Sequence, residues 1–294
     1  LLGASQGDYP KAVFAPRTIP ECYDMTVLAF NIAEQYQCPV LLATDLYLAE
    51  RMETFDGVNI AKVPIERGEL VTQGNGGYRR FADTKTGVSP RALPGTPGTI
   101  YTAATDEHDE DGIVISDVFT NPAMRVKMME KRMRKLEYLL KELPKPEVTG
   151  PADADLTLVG WGSTYQVMLE AMDTLSQEGL KVNVFCLKVI WPFQAAEVLD
   201  ILKRCKMTMS VEANYTGQIV KLIRMETGFS VQHHLRKYDG EPFELRQVVE
   251  QARTILKTKP KGSVVATVVS DEGLPPNFSP IEHPAVGVEV SRQH

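Results

Sequence analysis

Apolar positions change period several times along the first fifty residues. Lys11–Ala15 is a short apolar run closed by Pro16 and predicts a strand. Ile19–Tyr36 carries Val27, Leu28, Ile32 and Ala33 at helical spacing, with Pro20 acceptable in the first turn, and predicts a helix. After Pro39 the run Val40-Leu41-Leu42-Ala43-Thr44 is continuously apolar and ends at Asp45, as a parallel strand covered on both faces would. Thr44, Asp45 and Tyr47 then fall at the carboxyl edge, where α/β sheets hold ligands. From Met52 to Asp117 the period disappears. Gly74, Gly76, Gly77, Gly87, Gly95 and Gly98, with Pro90, Pro94 and Pro97, mark a long irregular segment of the kind used for function or for an interface.

Asn121 as cap, Pro122 at the first helical position and Pro144 as stop frame a long helix. Its Met128, Met129, Met133, Leu136, Leu139, Leu140 and Leu143 alternate with Lys131, Arg132, Arg134, Lys135 and Lys141. The basic side is expected to be solvated, with docking of an acidic partner as the other reading. The proline-rich stretch 144–151 is a stiff linker. It separates a domain over residues 1–143 from one over 152–258, followed by a polar tail over 259–294. In the second domain, strands over Leu156–Trp161, Val182–Val189 and Met207–Val211 alternate with helices over Tyr165–Glu178, Ala195–Cys205 and Ile219–Thr227. Such alternation predicts a doubly wound parallel sheet.

Composition narrows the picture only a little. The 294 residues are 43% hydrophobic and 24% charged, with a formal net charge of -6, which argues against nucleic acid as the main partner. No stretch is long and apolar enough for a membrane span, and Leu1-Leu2-Gly3-Ala4-Ser5 lacks the features of a signal peptide. The absence of an initiator Met reads as processing or excision from something longer. Cys22, Cys38, Cys186 and Cys205 form no CxxC pair and no metal-ligand spacing, so buried thiols in a reducing cytoplasm are expected and no metal site is assigned. Any metal centre for electron transfer would belong to a partner.

Three clusters carry candidate chemistry. Gly160-Trp161-Gly162-Ser163-Thr164 sits at a strand-to-helix turn that favours an anion, although a plain cap by Ser163 or Thr164 is the simpler reading. Glu212, Asn214, Tyr215, Thr216 and Gln218 gather at the carboxyl end of a strand. They serve either as capping groups, with Thr216 as the cap, or as contacts to a ligand or partner. Asp106-Glu107-His108-Asp109-Glu110-Asp111-Gly112 alternates carboxylates as a calcium loop does, but its twelfth position is Val118, so a complete calcium hand is not expected. A solvated interface loop is the simpler reading there. The other is a proton shuttle at His108, kept protonated by neighbouring carboxylates. His233-His234 is a weak signal, and His283 and His294 lie in the tail.

Taken jointly, several segments resemble the α subunit of 2-oxoacid:ferredoxin oxidoreductases, most closely the 2-oxoglutarate type. They are Gly7-Asp8-Tyr9-Pro10, Pro39-Val40 through Asp45–Glu50, Gly77-Tyr78-Arg79-Arg80-Phe81, Gly87-Val88-Ser89-Pro90-Arg91 and Glu107–Gly112. Lys131-Arg132 and Lys135, Gly160–Thr164 and Glu212–Gln218 extend the likeness to about residue 255. The resemblance implies two α/β domains, an incomplete pyrimidine-type domain and a transketolase C-terminal-like domain. It implies oxidative decarboxylation of a 2-oxoacid with coenzyme A and transfer of electrons to ferredoxin. Thiamine diphosphate, its Mg ion and a [4Fe–4S] cluster are expected on a partner β subunit, in a cytoplasmic hetero-oligomer.

The resemblance places the substrate-binding Thr and Arg and the aminopyrimidine-activating Glu ahead of this chain's first residue. The catalytic residues, with the N-terminal half or a γ portion, are therefore expected elsewhere, and the chain alone is expected to be inactive. Arg79, Arg91, His108 and Asp109 are candidates for the inter-subunit face near the cofactor. Asp45, Glu212, Asn214, Tyr215 and Gln218 are further substrate or interface candidates. Two other readings stay open: a 2-oxoacid dehydrogenase β or transketolase-like chain, and a non-catalytic assembly subunit.

Overall fold

A computed structural model describes residues 7–57, 63–103, 106–116 and 120–270. The expectations for His283, His294 and most of the tail fall outside these residues. In chain order the elements are β1 (Ala12–Phe14), α1 (Ile19–Tyr36), β2 (Val40–Leu42), α2 (Leu46–Glu50), β3 (Leu70–Val71), β4 (Arg91–Ala92) and α3 (Pro122–Glu142). There follow β5 (Val148–Thr149), β6 (Leu156–Trp161), α4 (Thr164–Gln177), β7 (Val182–Leu187) and β8 (Val189–Trp191). The last are α5 (Ala195–Arg204), β9 (Thr208–Glu212), α6 (Gln218–Thr227), β10 (His233–Arg236), α7 (Leu245–Thr258) and β11 (Val265–Thr267). Two compact units result, one of residues 1–146 with 187–194, the other of 147–186 with 195–294.

In the first unit β1 is central, parallel to β2 and antiparallel to β8. Its Ala12, Val13 and Phe14 are fully buried. The Thr18 hydroxyl accepts from the Glu21 amide at 3.2 Å and starts α1, while Glu21 pairs with Arg17 at 2.5 Å. Met25, Ala29, Ile32 and Tyr36 form the buried stripe of α1 and pack with Leu139 of α3 and Leu143 just past its end. The helix ends at Gln37 in the left-handed region, and the Lys135 ammonium donates to the Gln37 carbonyl at 3.1 Å. β2 is half-buried rather than covered on both faces, because it is the edge of the described sheet. Between residues 52 and 116 the only regular pieces described are the two-residue strands β3 and β4.

The second unit holds a six-stranded sheet in the order β11-β10-β9-β6-β7-β5. β6, β9, β10 and β11 pair in parallel, and β5 closes the edge antiparallel to β7. One face buries Leu156, Leu158, Val182, Val184, Met209, Val211 and Leu235 under α4 and α7. On β9 the alternate residues Thr208, Ser210 and Glu212 lie on the other face, where Glu212 meets α6. None of α7, β10 and β11 is among the elements expected from the sequence. The single strand expected over Val182–Val189 is in fact two: Lys188 alone separates β7, which lies in one unit as far as Cys186, from β8 in the other. Among the described residues no helix is long and apolar enough to cross a membrane, and Cys22, Cys38, Cys186 and Cys205 are all free thiols.

Candidate functional site

The acidic loop of the first unit is a built object. His108 bridges Val114 in antiparallel fashion, and the Asp109 carboxylate accepts from the amides of Asp111 and Ile113, each at 2.9 Å. Gly112 takes a left-handed φ of 81°, and a Cβ there would stand 2.0 Å from the Thr102 carbonyl oxygen. Under this turn lies an aromatic cluster. The His108 ring centroid is 3.9 Å from that of Phe81, and Tyr101 meets Phe81 and Tyr78 edge-on at 6.2 Å.

Helix α3 anchors the loop through charge. Glu107 accepts from Arg132 and is approached by Arg125 at 3.6 Å; Glu110 pairs with Lys127 and with Arg79 at 3.7 Å. Arg79 also reaches Asp111 at 2.9 Å. The Arg132 guanidinium holds the Glu107 carboxyl below the usual range, and Lys127 does the same for Glu110. This corrects the expectation of a solvated basic face: Arg132 is spent on the acidic loop, Arg134 pairs with Asp83, and Lys131 and Lys135 are buried. The proton-shuttle idea also changes. Burial is the largest influence on His108 and lowers its pKa, so the neighbouring carboxylates do not keep it protonated. Its Nδ1 is buried with no hydrogen-bond partner among the described residues.

Arg79, His108 and Asp109 thus come together in one neighbourhood. Arg91 does not join them. It stands on β4 and pairs with Glu34 of α1, whose carboxyl it holds below the usual range. Asp45 caps α2, accepting from the Leu48 amide at 2.9 Å. The sequence pointed to Arg79 and His108 as site candidates but not to Phe81, Arg132 or Lys127, because their roles depend on contacts between residues far apart in the chain.

In the second unit the strand order β7-β6-β9-β10-β11 reverses direction between β6 and β9, and the carboxyl ends of those strands frame the crevice where such sheets bind ligands. After β9, however, the polar cluster turns largely inward. The fully buried Glu212 carboxylate accepts from the Ile219 amide and from Asn214 Nδ2, both at 2.9 Å, and Asn214 Oδ1 accepts from the Gly217 and Gln218 amides. Glu212 and Asn214 therefore satisfy the helix terminus that an external anion would use. Gly217, not Thr216, is the cap residue of α6. Tyr215 stays outside, 5.0 Å edge-on from Tyr238, and Gln218 is exposed. At the β6 turn Ser163 is the cap residue of α4, as one of the two expected, but makes no side-chain capping hydrogen bond, and Thr164 donates to the Trp161 carbonyl at 3.0 Å.

Comparison with known proteins follows the same division. Residues 2–130 match a family described as pyruvate flavodoxin/ferredoxin oxidoreductase, thiamine diP-bdg, and residues 154–248 match pyruvate:ferredoxin oxidoreductase core domain II. The class is therefore that of α/β thiamine enzymes with a thiamine-diphosphate-binding domain. The α subunit of 2-oxoacid:ferredoxin oxidoreductase 2 from Aeropyrum pernix is 33% identical over 268 residues, 90% of this chain and 41% of that protein. The 2-oxoglutarate oxidoreductase subunit KorA of Mycobacterium tuberculosis is 29% identical, over 76% of this chain and 33% of its own length. A solved 2-oxoglutarate:ferredoxin oxidoreductase from Magnetococcus marinus, with 2-oxoglutarate, coenzyme A and succinyl-CoA bound, superposes with a TM-score of 0.78 at 32% identity. The match covers 85% of this chain and 43% of that one.

The chain thus carries two domains of the pyruvate:ferredoxin oxidoreductase type, and the relatives it is similar to are α subunits of 2-oxoacid:ferredoxin oxidoreductases. It spans about two fifths of the length of these curated relatives. Among the described residues no three His, Cys, Asp or Glu side chains are grouped to hold a metal ion, and Glu34, Glu107 and Glu110 are all tied to Arg or Lys. These residues do not form a metal–diphosphate clamp on their own.

Proposed function

We propose that this chain is part of the α subunit of an enzyme that oxidatively decarboxylates 2-oxoglutarate or a related 2-oxoacid. Its product is the acyl-CoA, and its electrons go to ferredoxin. Thiamine diphosphate, Mg and a [4Fe–4S] cluster are assigned to a partner β subunit in a cytoplasmic hetero-oligomer. The cofactor supplies the carbanion chemistry, and the protein supplies orientation and electrostatics. The observation that carries the reading is the α3-anchored loop with a buried, unpartnered His108 Nδ1, in a chain that superposes on a relative solved with 2-oxoglutarate bound. A buried ring nitrogen without a partner has hydrogen-bonding capacity left for a ligand or a partner chain. Arg79 and Asp109 act here by fixing the loop around it, and Arg91, Asp45, Tyr215 and Gln218 remain interface candidates.

The test is co-purification of the full gene product with its partners, iron analysis, and viologen reduction with coenzyme A and a panel of 2-oxoacids. Acid-dependent reduction by an iron-containing complex is expected, with 2-oxoglutarate among the best substrates. An iron-free protein without acid-dependent reduction overturns the proposal. Unchanged kinetics in a His108→Ala complex removes His108 from it.

A further inference from the structure

Where the C-terminus of α1, the 80–89 loop and the middle of α3 meet, three cations stand without a carboxylate at ion-pair distance among the described residues, and Asp83, itself paired with Arg134, is the acid that acts on Lys131. Lys131 and Lys135, one turn apart on α3, are only 4% and 8% exposed. Lys135 donates to the Gln37 carbonyl, and Lys131 makes no hydrogen bond or ion pair among the described residues. Arg80 is half-buried, lies over the Phe81 ring at 5.3 Å, and has no carboxylate partner among those residues.

The loop is pinned onto this part of the helix. Gly87 has a φ of 79°, and a Cβ there would stand 2.2 Å from the Lys131 carbonyl oxygen. Gln37 Nε2 donates to the Ser89 carbonyl at 2.7 Å, and Ser89 donates to that of Ala82 at 2.8 Å. Four carboxylates of the neighbouring loops are already engaged. Asp83 pairs with Arg134, Glu107 with Arg132 and Arg125, Glu110 with Lys127 and Arg79, and Asp111 with Arg79.

Buried charge without compensation is costly, so such an arrangement calls for an anion. Three positive charges exceed what one carboxylate neutralises and match a dianion. Lysine ammonium groups with an arginine fork suit phosphate oxygens. We propose that Arg80, Lys131 and Lys135 form a binding site for a phosphate-class dianion, either free phosphate or the phosphate of a monoester.

Burial, together with the mutual repulsion of these cations, lowers Lys131 and Lys135 to about 8. The groups acting on them are Arg80, Arg132, Asp83 and Cys38. A bound dianion restores the ammonium forms, so binding at pH 8 takes up protons from solution.

The experiment is calorimetric titration of the whole chain with inorganic phosphate and with adenosine monophosphate, at constant ionic strength, in two buffers of different ionisation enthalpy. Wild type is expected to bind with proton uptake at pH 8. Lys131→Gln is expected to weaken binding roughly tenfold or more, as one charge-assisted contact is lost. Removing an uncompensated buried charge should leave Lys131→Gln at least as heat-stable as wild type in phosphate-free buffer. Arg80→Gln, at the open side, carries the same test if Lys131→Gln does not fold. Tighter binding of the nucleotide names a phosphate ester as the ligand, and equal or tighter binding of phosphate names the free ion. No binding of either probe, or binding unchanged in a folded variant, overturns the site.

Discussion

Replacing Glu107 by Gln keeps the size of the side chain and removes its charge. Glu107 is 18% exposed at its side chain and Arg132 is 26% exposed, so solvent screens the pair only partly. A charge-assisted hydrogen bond contributes ~1.5–3 kcal/mol, and partial exposure takes the lower part of that range, about 1.5–2 kcal/mol for the pair with Arg132. Arg125, at 3.6 Å and largely exposed, adds little.

The loss should appear locally, as easier opening of the acidic loop from α3. The reporters are its protected amides, those of Asp109, Asp111, Gly112, Ile113 and Ile115. Hydrogen exchange at these amides should quicken roughly 10–30-fold, since ~1.4 kcal/mol is one factor of ten. Exchange in β6 and β9 should not change. The sign with pH follows from the lowered Glu107 pKa: the anchor is present above the ordinary carboxylate range and is lost as pH falls through the folded value. Unaltered exchange in the Glu107→Gln loop at neutral pH would refute the idea that α3 anchors it by charge.

Other predictions concern stability and titration. Lys237 is fully buried with Asp239 and Ser270 as partners. Burial alone would raise the Asp239 pKa, but Lys237 and the Ser270 and Glu241 amides bring it down to about 2. Asp239→Asn should cost ~2–3 kcal/mol by urea unfolding, chiefly by stranding the ammonium, and Lys237→Met in addition should recover at least half; full additivity would exclude coupling. The Asp239 contribution should be present above about pH 4 and vanish as pH falls through about 2. His234, lowered by burial to about 4, should titrate by NMR well below 6.5, and its contribution to stability should fade as pH drops from 6.5 through 4. A midpoint at or above 6.5 contradicts its burial. Gly87→Ala, forced into a left-handed conformation against the α3 backbone, should lose more than ~2 kcal/mol in thermal or urea unfolding, and a neutral outcome would show that the loop yields there.

Local chemistry was legible in the sequence. Pro20 in the first turn of α1, and the Asn121 cap with Pro122 at the start of α3, announce their helices through groups within a few residues. β6 was legible as the strand Leu156–Trp161 before a Gly-Ser-Thr turn. α7 was legible in principle: Glu244 and Gln247 form a capping box before Val248, Val249, Ala252, Ile255 and Leu256, which recur at helical spacing. β10 hid because its buried His233 and half-buried His234 look polar, and only the fold shows how they are accommodated: His233 Nδ1 accepts from the Val264 amide at 3.2 Å, and His234 Nδ1 lies 3.0 Å from Ser210 Oγ. The candidate site was half legible. Carboxylates and cations could be seen in the chain, but not that Glu107 answers Arg132, 25 positions further on, nor that Glu212 spends itself on the helix that follows it.

The passage of the chain from β7 through Lys188 into β8 sets a limit on cutting the molecule. A fragment beginning at Glu147 carries Val189–Trp191 without the strand it pairs with, and a fragment ending at Pro146 leaves β1 with one neighbour instead of two. An unpaired strand edge invites association with other chains. The proline-rich linker is thus a seam in space but not in sequence. Any gene fusion or domain exchange made there transfers a strand of one unit along with the other.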